Sequence, residues 1–106
     1  MKVEEYLKIK NELFEKADEL TKKKGHDYSG KSQDTLSNVK ITEKLGLTST
    51  MTGILVRLTD KLARLVSFNQ QGEFAVADEK YEDTVVDAIN YLTMLVAVKR
   101  EQDGSN

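Results

Sequence analysis

Apolar residues recur with a helical period over most of the chain. From Val3 to about Lys24 they fall at Tyr6, Leu7, Ile9, Leu13, Phe14, Ala17 and Leu20, with Glu and Lys filling the other side. That is the pattern of an amphipathic helix. Lys22, Lys23 and Lys24 suit the negative end of the helix dipole, and Gly25 accepts a left-handed C-terminal turn, so the spacing predicts that the first helix stops there. The stretch GHDYSGKSQ, residues 25–33, has two glycines, an Asp, two Ser and no period, and reads as a loop.

Asp34 or Ser32 can cap a short second helix through Leu36, Val39 and Leu45, which Gly46 would end. Thr48, Ser49 and Thr50 offer caps for a third helix that carries Ile54, Leu55, Leu58, Leu62, Leu65 and Val66 on one side and finishes near Asn69. After the linker QQGEFAVA, Asp78 opens the longest apolar run, through Tyr81, Val85, Ile89, Leu92 and Val96 to Lys99 and Arg100. The expected fold is all-α, a small bundle of about four helices in one domain over residues 1–100, with a polar tail over 101–106. The last helix is nearly apolar all round between Thr84 and Val98, more than so short a chain can cover, which points to a homo-oligomer.

Composition narrows the function. Charged residues make up 32% of the 106, but 16 basic against 18 acidic leaves a net charge of -2, so nothing draws the whole protein to duplex nucleic acid or to an anionic membrane. Any phosphate contact must come from a local cluster. There is no Cys, hence no disulfide, thiol chemistry or Cys-ligated zinc, and the N-terminal MKVEEYLKIK lacks the apolar stretch of a signal peptide; a cytoplasmic protein is expected.

Two clusters carry candidate chemistry. On the last helix Glu79, Glu82, Asp83, Asp87 and Asn90 fall in one sector at about 100° per residue. Carboxylates one turn apart, as Glu79, Asp83 and Asp87 are, repel unless a cation or basic side chain sits between them. On the preceding helix Arg57, Lys61 and Arg64 lie away from the leucine stripe, with Asp60 beside them. A bland reading pairs Arg57 and Arg64 with Asp60 or with the acidic face of the last helix, an expected antiparallel neighbour, or leaves the acidic face to solvent. A functional reading has Arg and Lys clasp phosphate oxygens while the carboxylates hold Mg²⁺ or accept from a base or sugar. A third group, His26, Asp27 and Tyr28, sits between two glycines on the expected loop, where binding residues are often placed.

Taken together, KGHDYSG at 24–30, GILVRLTDKLARL at 53–65 and ADEKYEDTVVDAINYL at 77–92 resemble the nucleotide modification associated domain 1 family, small helical proteins found mostly in bacteriophages. The resemblance covers about two-thirds of the chain and rests on RxxDKxxRL combined with DExxEDTxxDxxNY. It implies a phage origin, hence a place inside the infected bacterial cell, an all-α fold and a link to nucleotide metabolism or modification. The family's recurring polar positions fall here on Asp27, Tyr28, Arg57, Asp60, Lys61, Arg64, Glu79, Glu82, Asp83, Asp87, Asn90 and Tyr91.

Two functions follow as expectations. The first is a nucleotide-binding protein without turnover, for instance a sponge that sequesters a nucleotide signal of bacterial immunity; charged groups without an evident nucleophile or general base suffice for it. The second is a Mg²⁺-dependent nucleoside triphosphate pyrophosphohydrolase, similar in helical build to the all-alpha NTP pyrophosphatases, with Glu79, Glu82, Asp83 and Asp87 as half of a metal site. Glu12 and Glu15 have the ExxE spacing of that family but lie too far up the chain and on the outer side of the first helix, so binding is the reading preferred. A plain interaction protein is the third possibility.

Overall fold

The computed structural model of the protein describes residues 1–28, 34–71 and 78–104, with the side chains of 25–28, 78 and 79 outside the description. Four helices and no strand occur among the described residues: α1 (Val3–Tyr28), α2 (Ile41–Lys44), α3 (Thr50–Gln71) and α4 (Asp78–Gln102). The all-α class expected from periodicity is the class observed. α4 is the central element, packed against both α3 and α1, while α2 packs on α3 alone.

Gly25 does not end α1. The helix continues through His26 and Asp27 to Tyr28, so these three residues lie on its last turn rather than on a loop, and the rest of the expected loop, 29–33, lies outside the described residues. A glycine inside a helix costs only about 1 kcal/mol, which 26 residues of continuous backbone bonding can absorb. α4 likewise runs past Arg100 to Gln102, shortening the expected tail.

The second helix is shorter than its apolar pattern suggested. Asp34 does open the segment, but as a turn: its Oδ1 accepts from the Leu36 amide at 2.9 Å, and residues 35–40 wind through short-range bonds such as Val39 N to Leu36 O before a single helical turn forms. Gly46, at φ +75°, then closes α2 as expected. Its amide donates to Glu43 O and the Leu47 amide to Thr42 O, the paired bonds of a Schellman stop.

Of the three candidate caps for α3, Ser49 is the one used. Its Oγ accepts from the Thr52 amide at 3.1 Å, and Glu43 Oε1 takes the Thr50 amide at 3.0 Å, so α2 helps to cap its neighbour. Beyond the cap, Gly53 lets α2 approach: a Cβ there would stand 2.6 Å from Thr42 Oγ1.

The core is small. Leu36, Val39, Ile54 and Val98 form its buried centre, with Met51, Tyr91, Met94, Leu95 and Ala97 packed around them. Every residue from Met1 to Glu12 is exposed, Tyr6, Leu7 and Ile9 included; Ala17 is the buried residue by which α1 meets α4. The Cα radius of gyration is 15.8 Å, against about 13 Å for a compact domain of this length.

Candidate functional site

α3 and α4 run antiparallel, and two contacts set their register. Lys61 Nζ stands 3.1 Å from Asp87 Oδ2, and one end further along the Phe68 and Tyr81 rings pack tilted with centroids 5.9 Å apart. In that register Arg64, one turn after Lys61, runs alongside Asp83, one turn before Asp87.

The leucine stripe of α3 is therefore not turned wholly inward. Ile54 is fully buried and Leu58 and Leu65 are half-buried, but Leu55, Leu62 and Val66 are exposed, while Arg57 and Lys61 are half-buried on the packed side. The helix is rotated so that its charged edge, expected to lie away from the core, sits at the junction with α4 and the 34–44 segment. Arg57 Nη2 donates there to Asn38 O at 3.4 Å.

The pair Lys61–Asp87 is the most sheltered charge contact among the described residues, with side chains 16% and 29% exposed. Such a pair compensates two partly desolvated charges, and deleting one member strands the other. Arg64, Asp83 and Asp60 are exposed and have no salt bridge among the described residues. A guanidinium and a carboxylate thus lie side by side at one end of an ion pair, along one edge of the α3–α4 junction.

The rest of the acidic sector is divided. Glu82 turns to α1, where its Oε1 lies 3.7 Å from Lys16 Nζ, both groups being well exposed. Asn90 is also engaged with α1: its Nδ2 donates to Ala17 O at 3.3 Å, and its Oδ1 lies 3.4 Å from the Thr21 hydroxyl, which also reaches Ala17 O at 3.0 Å. Tyr91 packs against the core. Among the described residues no three His, Asp or Glu gather where they could hold a metal ion. Glu79 is on the first turn of α4 and His26, Asp27 and Tyr28 on the last turn of α1, and all four side chains lie outside the described residues.

Sequence reasoning missed a second ionic centre. Lys40 Nζ bridges Asp34 Oδ2 at 2.6 Å and Glu101 Oε1 at 2.9 Å, tying the turn before α2 to the end of α4. The Lys40 bond, with help from the Leu36 amide, holds the Asp34 carboxyl below its usual range, and the two carboxylates raise Lys40 above the ordinary lysine value. Only the Asp34–Lys40 spacing hinted at this; Glu101 comes from the far end of the chain.

No family model, curated protein or solved structure matches the chain, so the resemblance drawn above stands on its three sequence segments alone. No helix among the described residues is long and apolar enough to cross a membrane.

Proposed function

We propose that the protein binds a nucleotide or nucleotide-derived small molecule along the α3–α4 edge, with Arg64 and Lys61 taking phosphate oxygens and Asp83 and Asp87 facing the base, the ribose or a bridging Mg²⁺. The observation that carries this reading is Arg64, an exposed guanidinium without an ion pair among the described residues, one turn from a Lys61 already sheltered at 16% exposure. A planar fork beside a partly desolvated ammonium suits a phosphate group. The ligand would compete with Asp87 for Lys61, freeing a carboxylate for a metal or a sugar hydroxyl.

Binding without turnover is the function put forward, as in a phage-encoded sponge for a nucleotide immune signal acting in the infected cell. Hydrolysis is the second reading, favoured by the one-turn spacing of Asp83 and Asp87; it further requires Glu79 or a carboxylate from another element. Thermal shift against dNTPs, NTPs and cyclic or ADP-ribose-type signals, each with and without Mg²⁺, followed by chromatography of the compound, separates the two. A compound returned intact supports the sponge; monophosphate plus pyrophosphate supports the hydrolase. Failure of every phosphate ligand to stabilise the protein, or equal stabilisation of Arg64→Ala, removes the site. A homo-oligomer belongs to this reading.

A further inference from the structure

Among the described residues α1 and α3 both pack on α4 and not on each other, so a furrow runs between them with α4 as its floor. Asn90 turns to α1 and Asp87 to α3. Asp83 falls between those two directions at about 100° per residue and is exposed, so it faces the open furrow. Arg64 stands beside it on the α3 wall, turned away from the half-buried Leu58 and Leu65.

Two contacts orient the α1 wall. Lys16 meets Glu82 and Thr21 meets Asn90, so α1 and α4 run in the same sense, and Thr21 is on the flank of α1 nearer the furrow. Phe14 precedes Thr21 by seven residues, two turns back on one line of the helix, and Asp83 precedes Asn90 by the same seven. Phe14 therefore stands across the furrow from Arg64, at the level of Asp83. Leu13, Ala17 and Leu20 already fill the seam with α4, and the Phe14 ring is left 44% exposed. A face of that ring is met by the ammonium of Lys10, 5.5 Å from the centroid, a surface contact that a lysine gives up readily.

We infer that Phe14 stacks the base of the ligand, which makes that ligand a nucleoside phosphate and not a bare polyphosphate. The inference rests on the phosphate site proposed for Arg64 and Lys61. A phosphate held on the α3 wall leaves the rest of a nucleotide to reach across the furrow, where a planar base meets an aromatic ring on the far side. Stacking of this kind tolerates any base. Asp83 lies beneath, an acceptor only, and suits a base edge or ribose hydroxyl that donates.

Calorimetric titration of the full chain with Mg²⁺ present tests it. The ligands are nucleoside triphosphates, ADP-ribose and a cyclic dinucleotide, with inorganic tripolyphosphate and ribose 5-phosphate as base-free probes. At least one nucleotide is expected to bind about 10–100-fold tighter than the base-free probes, the worth of one base stacked on a ring. Phe14→Leu is expected to erase that margin and leave the base-free probes unchanged, Phe14→Tyr to keep it, and Arg64→Ala to weaken every ligand. Since the chain has no Trp, Phe14→Trp supplies a reporter whose emission a nucleotide quenches and tripolyphosphate does not. Glu12→Trp, on the opposite side of α1, is expected to stay unquenched. A margin that survives Phe14→Leu, Phe14→Trp emission untouched by bound nucleotide, or equal binding of nucleotides and base-free probes overturns the inference and leaves the phosphate site standing. If no phosphate ligand binds, the site of Arg64 and Lys61 falls and the inference falls with it.

Discussion

Gly53 offers a test in which local propensity and tertiary packing have opposite signs. Alanine is preferred to glycine inside a helix by about 1 kcal/mol, so Gly53→Ala in an uncrowded α3 would stabilise the protein. Here the new Cβ meets Thr42 Oγ1 at 2.6 Å, with Thr42 Cβ and Cγ2 at 3.4 Å. Thr42 is β-branched and stiff about χ1, so α2 has to shift or the side chain has to leave its rotamer. Overpacking of that kind costs about 1–3 kcal/mol, leaving Gly53→Ala net destabilising by about 1 kcal/mol. The control is Thr42→Ala, which removes the obstructing atom. Its hydroxyl is buried without a hydrogen-bond partner among the described residues, so its loss forfeits no bond. In the Thr42→Ala background the same glycine substitution is expected to stabilise by up to about 1 kcal/mol, a coupling near 2 kcal/mol. Urea unfolding of the four proteins at one fixed concentration measures it. Gly53→Ala with the same effect in both backgrounds would refute the close approach of α2 to α3.

Three further outcomes are expected. Ser49→Ala should cost about 1 kcal/mol through loss of the α3 cap, while Thr48→Ala, one residue earlier, should stay within about 0.5 kcal/mol in the same urea assay. Asn90→Ala should loosen α1, seen as faster amide hydrogen exchange around Ala17 and Thr21 with exchange around Ile54 and Val98 little changed; uniform acceleration would argue against Asn90 as a local tie. The Lys40 bridge should act across a wide pH window. Asp34 is depressed, so its contribution is present above the ordinary carboxyl value of 3.8 and is lost as pH falls through the lower folded value; Lys40 is raised, so its contribution is present below 10.5 and is lost as pH rises through the higher folded value. The melting difference between wild type and Lys40→Met should thus be constant from about pH 5 to 9 and shrink outside it. A difference that disappears near neutrality would remove the bridge from the stability of the fold.

What could be read from the sequence was what local chemistry determines. Helices α3 and α4 were legible because their apolar residues hold one period for many turns, and Gly46 was legible as a stop because only a left-handed residue completes the paired bonds that end α2. Gly25 carried the same signal and continues its helix. A glycine ends a helix only when the chain turns there, and neither the glycine nor the lysines before it say whether it does. The choice of Ser49 among three hydroxyl residues also needed tertiary information, because the Thr50 amide is taken by Glu43 of α2.

The charged cluster shows where periodicity stops being informative. A helical wheel gives the angle between two residues but not the zero of that angle, which the neighbouring helices set. Lys61 and Asp87 were both legible as candidate site residues; that they pair, and that α3 turns its charged edge to α4 and leaves half of its leucines outside, was not. Bringing Lys61 to Asp87 puts Arg64 beside Asp83 on one edge, and the same turn of the helix carries Leu55, Leu62 and Val66 to the opposite one.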